Sequence, residues 1–128
     1  MVRHYAEAPS DAKRAEQIWL IFSSKASNRQ TITYDSLARA MGYRASKGIA
    51  RVLGKKLGHV AYYYKQNRIP PLTVIVVRED TGLPGKGYPG DASTVCSDQE
   101  SVFRFKWFSV VPPTPKELAK AYPSAKVK

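Results

Sequence analysis

From Ser10 onward the chain alternates between runs of helical periodicity and short polar links. Ile18, Trp19, Ile21 and Phe22 form the apolar side of a helix predicted from Ser10 or Asp11, either of which can cap it, to about Ser24. Residues 1–9 read as a loose arm ending in Pro9, and 24–32 as a polar link that ends in a short extended piece. Thr33 starts a second helix with Leu37, Ala38 and Met41 as its buried stripe, and Gly42 supplies the left-handed residue that ends it. A third helix, capped by Ser46, turns Ile49, Val52, Leu53 and Leu57 inward and ends or kinks at Gly58. HVAYYYKQNR then continues as a fourth, shorter helix or turn. Successive helical positions point about 100° apart, so Tyr62, Tyr63 and Tyr64 cannot all be buried, and one or two should be exposed.

Downstream the period changes. Ile69-Pro70-Pro71 leads into LTVIVV (72–77), a β-branched run predicted to be a strand. The turn Thr81-Gly82-Leu83-Pro84-Gly85-Lys86-Gly87, followed by Tyr88, Pro89 and Gly90, predicts a return strand and so a hairpin with Lys86 at its tip. Ser97 to Glu100 and Thr114 to Glu117 both match the Ser/Thr-x-x-Glu capping box, the second with proline at the first helical position. They predict helices over about 98–107 and 115–122, although FRFKWF within the first also alternates like a strand. The fold class is mainly α with a small β-hairpin (α+β): a winged helix-turn-helix with additional C-terminal helices. One domain over 1–128 is expected, with core and wing at 10–90 and a helical extension at 91–128.

Charge changes this picture from a fold to a partner. The 128 residues carry a formal net charge of +11. No acidic residue lies between Asp35 and Glu79, a span that holds Arg39, Arg44, Lys47, Arg51, Lys55, Lys56, Lys65, Arg68 and Arg78. A solvated helix normally mixes both signs, because pairs four apart stabilise it. A long single-sign stretch forgoes that and points to a polyanion. No run approaches the ~20 apolar residues of a membrane span, and the N-terminus lacks the apolar core of a secretory signal. A cytoplasmic protein of a bacterial or phage-infected cell is expected, nucleoid-associated if it binds DNA.

Catalytic chemistry finds no constellation. Cys96 is the single cysteine and has no histidine or basic neighbour to make it a nucleophile. It also excludes an internal disulfide, and His4 and His59 lack neighbours at metal-ligand spacing. Gly85-x-Gly87-x-x-Gly90 matches the dinucleotide fingerprint only in letters: Asp91-Ala92-Ser93-Thr94 follows it, and no ribose-binding acid is evident at the proper distance. Asp80-Thr81-Gly82 matches a protease signature outside its barrel context, and Glu79, Asp80 and Lys86 lack the spacing of a metal-dependent nuclease. The reading is therefore no enzyme, no cofactor and no metal.

The central stretch resembles a known family. Thr33-Tyr34-x-x-Leu37-Ala38, then Gly42, then Arg51-Val52-Leu53-Gly54-x-x-Leu57 is similar to the DNA-binding domain of the O6-alkylguanine DNA alkyltransferases and alkyltransferase-like proteins. Val76-Val77, Thr81-Gly82-Leu83 and Gly87-Tyr88 follow in the same order, so the likeness spans Thr33 to Gly90. It implies a winged helix that enters the minor groove, with Tyr34 rotating the target nucleotide and Arg51 filling the space left in the duplex. The family's Pro-Cys-His-Arg active site is absent: Leu72-Thr73-Val74-Ile75 aligns with it, and threonine is no alkyl acceptor. The resemblance thus implies DNA binding without alkyl transfer, with damaged or modified DNA as the target.

The expected function is a non-enzymatic protein that binds double-stranded DNA. Arg44, Lys47, Arg51, Lys55 and Lys56 would contact phosphate and groove, Arg39 and Lys86 would add backbone contacts, and Tyr34 and Ser46 would donate neutral hydrogen bonds. The alternative is a protein-interaction module for an acidic partner, of the phage, defence or regulatory kind, anchored by Tyr62 to Tyr64 and Phe103 to Phe108. RNA binding through the same basic face stands third, because no RNA-recognition signature is present.

Overall fold

The computed structural model of the chain describes residues 1–7, 10–44, 47–85, 88 and 92–123. The described chain is mainly helical with one small sheet: α1 (Asp11–Ser27), β1 (Ile32–Thr33), α2 (Tyr34–Ala40), α3 (Ile49–Gln66), β2 (Val76–Val77), α4 (Ala92–Arg104) and α5 (Pro115–Ala121). Single 3-10 turns cover Tyr5–Glu7, Leu72–Ile75 and Trp107–Ser109.

Caps fix several helix starts where the sequence places them. Ser10 Oγ accepts from Lys13 N–H, Thr33 Oγ1 from Ser36 N–H, and Thr114 and Glu117 form the full reciprocal box. Gly42 ends α2 at φ +90°, a conformation that costs an L side chain strain, while Tyr43 N–H reaches back to Ala38 O.

The core forms where apolar faces of α1, α3 and α5 meet the 72–77 segment. Ile18, Trp19 and Phe22 of α1 are buried, as are Leu53 and Val60 of α3, Leu118 of α5 and Leu72, Val74 and Ile75. Trp19 lies edge-on to Tyr63 and to Trp107, with ring centroids 5.6 and 5.7 Å away, a favoured aromatic arrangement. His59 Nδ1 lies 3.0 Å from Leu118 O, and Gln66 Nε2 donates to Ala121 O, which fastens α5 along α3.

Several sequence expectations are corrected. LTVIVV is a 3-10 turn followed by only two strand residues, with Val74 N–H donating to Pro71 O. All six side chains are buried, and a short continuous apolar run reports burial on every side rather than a strand. β2 pairs in parallel with β1 (Ile32 with Val76, Thr33 with Val77) instead of turning back on itself. Residues 78–83 do close a turn, with Arg78 N–H bonded to Leu83 O and Gly82 N–H to Arg78 O. No return strand of a hairpin follows among the described residues.

α3 is one continuous helix of 18 residues and does not stop at Gly58. That glycine makes room instead: a Cβ there would lie 2.8 Å from Tyr122 Cε2. Val52 is exposed rather than inward, because the buried stripe runs through Ile49, Leu53, Val60 and Tyr64. α4 begins at Ala92 and contains Ser97, so the first predicted capping box is helix interior. Val95 and Val102, seven apart, carry its buried face back beyond the predicted start. The N-terminal arm is tied down through Tyr5 Oη, which donates to Glu16 Oε1.

Candidate nucleic-acid interface

α2 and α3 meet at a connection held from beneath by α1. Arg14 is buried, and its Nη1 donates to Met41 O at 2.6 Å and to Gln17 Oε1 at 2.8 Å, while its guanidinium stacks 4.5 Å from the Tyr43 ring centroid. Burying that charge is tolerable because backbone and amide oxygens solvate it. Lys56 approaches the same ring at 5.8 Å and pairs with Asp11 at 3.0 Å. Tyr43 is thus flanked by two cations, and the end of α2 is locked to α1.

That arrangement sorts the basic residues. Lys56 was expected on the outer face, but its side chain is 12% exposed and its charge is answered by Asp11. Lys55, one residue earlier, is 62% exposed and only 3.9 Å from the same carboxylate. Arg39, Arg44, Lys47 and Arg51 are exposed and make no ion pair among the described residues. They follow one another through α2, the connection and the first turn of α3. Gly48 caps α3 in the left-handed region at φ +82°, which lets the backbone turn sharply between Lys47 and Arg51. Ser46, the expected cap, and Lys86, the expected wing tip, lie outside the described residues.

Beside this cationic edge lies a cavity of about 600 Å³. One wall is the face of α3 bearing Ala50, Gly54, Leu57, Ala61 and Lys65, spaced by threes and fours so that they stack along one side. Tyr34 and Gly85 form the opposite wall, and Tyr34 Oη accepts from Gly85 N–H at 3.1 Å. Arg51 stands at the rim, and Thr73 and Tyr64 lie in the lining with their hydroxyls 2.8 Å apart. Tyr34, Arg51 and Thr73, drawn from three separate parts of the sequence, therefore line one cavity.

Two of the tyrosines lining it, Tyr64 and Tyr88, hold their protons more tightly than a free phenol. Burial pushes the Tyr64 phenol above its ordinary range, against the lowering effect of its bond to Thr73. Tyr88 is raised further, by burial first and then by its 2.7 Å hydrogen bond to the Asp98 carboxylate. Both act as hydrogen-bonding hydroxyls at physiological pH.

Sequence reasoning missed Arg14, Tyr43, Thr73 as a lining residue, and Tyr88. Tyr88 and Thr73 depend on long-range folding and leave no local signal, whereas the helical register of Arg14, three before Gln17 and four before Ile18, places it at the edge of the apolar face of α1. Of the three consecutive tyrosines, Tyr62 is exposed, Tyr63 half-buried and Tyr64 buried, in line with the periodicity argument. Phe108 and Val111, beyond α4, stand out at 74% and 84% exposed. Among the described residues no group of His, Cys, Asp or Glu converges as a metal site, and no helix is long and apolar enough to cross a membrane. No protein-family model, curated protein or solved structure matches the chain.

Proposed function

We propose that this chain is a non-enzymatic winged-helix protein that binds double-stranded DNA through the α2–α3 connection and the first half of α3. The observation that carries this reading is the row of exposed cations Arg39, Arg44, Lys47 and Arg51, which make no ion pair among the described residues, with Lys55 alongside. Clustered positive charge neutralises phosphates and releases their counterions, which is the main source of sequence-independent affinity. A damaged or modified base is the finer target. Tyr34 and Arg51, to which the alkyltransferase resemblance gives base rotation and space filling, line the same cavity as Thr73, which aligns with the family's acceptor position. Threonine there supports holding a base without transferring a group from it.

A salt titration of binding to a fluorescent duplex tests the reading. With about five phosphates neutralised, log affinity falls against log salt with a slope of about −4 to −5. Arg51→Ala weakens binding and shallows that slope by about one. Absence of duplex binding at low salt, or a slope unchanged in the variant, would reject it. A second reading, docking of an acidic protein partner, is favoured by the exposed Phe108 and Val111 beside Lys106. Competition between duplex and that partner separates the two.

A further inference from the structure

The cavity does not end at Tyr88. A second hollow of about 310 Å³ adjoins it, sharing Tyr64, Lys65 and Tyr88, and continues to Arg68, Ile69 and Pro71. Together they make a trough along α3, with Arg51 near one end, Lys65 between and Arg68 at the other. None of these three cations makes an ion pair among the described residues. Arg51 and Lys65 are fourteen positions apart on the helix, a rise of about 21 Å, which matches roughly six nucleotides at the 3.4 Å stacked rise of one strand.

We infer that this trough binds a single strand of nucleic acid without needing a duplex. Three features fit that occupant. The α3 wall is nearly side-chain-free at Ala50, Gly54 and Ala61, and a Cβ on Gly54 meets nothing within 4 Å, so planar bases have room against the helix. The half-buried Tyr34 and Tyr88 supply aromatic surface, the platform on which bases stack without regard to sequence. The bond between the buried Tyr64 and Thr73 hydroxyls uses one of their two hydrogens and leaves the other to donate to a base edge. The carboxylate of Asp98 also lines the second hollow, but it accepts from Tyr88 Oη and faces a wall bearing Lys65 and Arg68.

The inference rests on the cavity being a base-binding surface; Arg51 belongs also to the duplex face, whereas Lys65 and Arg68 belong to the trough alone. Fluorescence anisotropy with labelled 12-nucleotide DNA and RNA single strands, and with a hairpin-free duplex, tests it. The wild type binds the single strands. Gly54→Leu fills the trough and weakens that binding at least tenfold, as does Lys65→Ala with Arg68→Ala, a surface pair that leaves the core untouched. The double variant keeps its duplex affinity within twofold. Arg44→Ala with Lys47→Ala does the reverse, losing the duplex while keeping the single strand. Absence of single-strand binding by the wild type, or binding unchanged in the Lys65/Arg68 double variant, overturns the inference. Single-strand binding without duplex binding upholds the trough and rejects the duplex reading. A preference between the DNA and RNA strands names the natural strand.

Discussion

The Tyr34 hydroxyl accepts a hydrogen bond from the backbone N–H of Gly85, 51 residues further along the chain and 3.1 Å away. This contact joins the start of α2 to the loop after the 78–83 turn and closes one wall of the cavity. A Cβ on Gly85 would lie 2.8 Å from that hydroxyl oxygen, so the residue must be small for the two to meet.

Tyr34→Phe leaves the Gly85 N–H without its acceptor and should lower stability by about 1 kcal/mol. Gly85→Ala should displace the Tyr34 ring and weaken single-strand binding even where stability changes little. Urea denaturation and anisotropy on both variants check this pair. Unchanged binding in Gly85→Ala would show that the Tyr34 wall does not touch the ligand.

Lys55 and Lys56 are neighbours with different expected roles. Lys55→Ala should reduce the salt slope of duplex binding by about one, because its ammonium is exposed. Lys56→Ala should leave the slope unchanged and lower stability instead, since it removes the nearer of the two lysines at Asp11 and a cation beside Tyr43. A matching slope change in both variants would contradict the division.

The two helical glycines of α3 should respond oppositely to alanine. At Gly54 an added methyl meets nothing within 4 Å, and Gly54→Ala should stabilise the fold by about 1 kcal/mol through helix propensity. At Gly58 the methyl meets the Tyr122 ring at 2.8 Å, so Gly58→Ala should gain less or destabilise. Thermal unfolding of the two single variants reads the contrast.

Stability should decline at alkaline pH. Tyr5 is raised to about 12 by burial and by its bond to Glu16, and Tyr64 and Tyr88 are raised as well. A phenol whose folded pKa exceeds its unfolded value of 10.0 holds its proton more tightly when folded. Its contribution is complete below pH 10 and is lost as pH rises from about 10 towards 12. Tyr5→Phe with Tyr88→Phe should flatten that decline, measured as denaturation midpoint against pH. An equally steep decline in the double variant would remove these two phenols as its cause.

The local signals in this sequence were short-range ones, and they read correctly where a few neighbouring residues decide the outcome. Ser10, Thr33 and Thr114 cap helices because a side-chain oxygen satisfies an amide three residues away. Gly42 takes its left-handed turn for an equally local reason. The absence of acids between Asp35 and Glu79 is likewise a property of the sequence, and it alone raises a polyanion partner. Only the tertiary structure decided what apolar and basic residues meet. Burial on all sides turned LTVIVV into a 3-10 turn with a two-residue strand, and the distant Tyr122 gave Gly58 a packing role instead of a helix end. Asp11, 45 positions before Lys56, withdrew that lysine from the surface while Lys55, at the longer distance of 3.9 Å, stayed exposed. The cavity has the same origin: Tyr34, Arg51, Thr73 and Tyr88 become neighbours through parallel pairing of β1 with β2 and packing against α3. Chain separation hides such contacts from periodicity, because they are set by packing between elements.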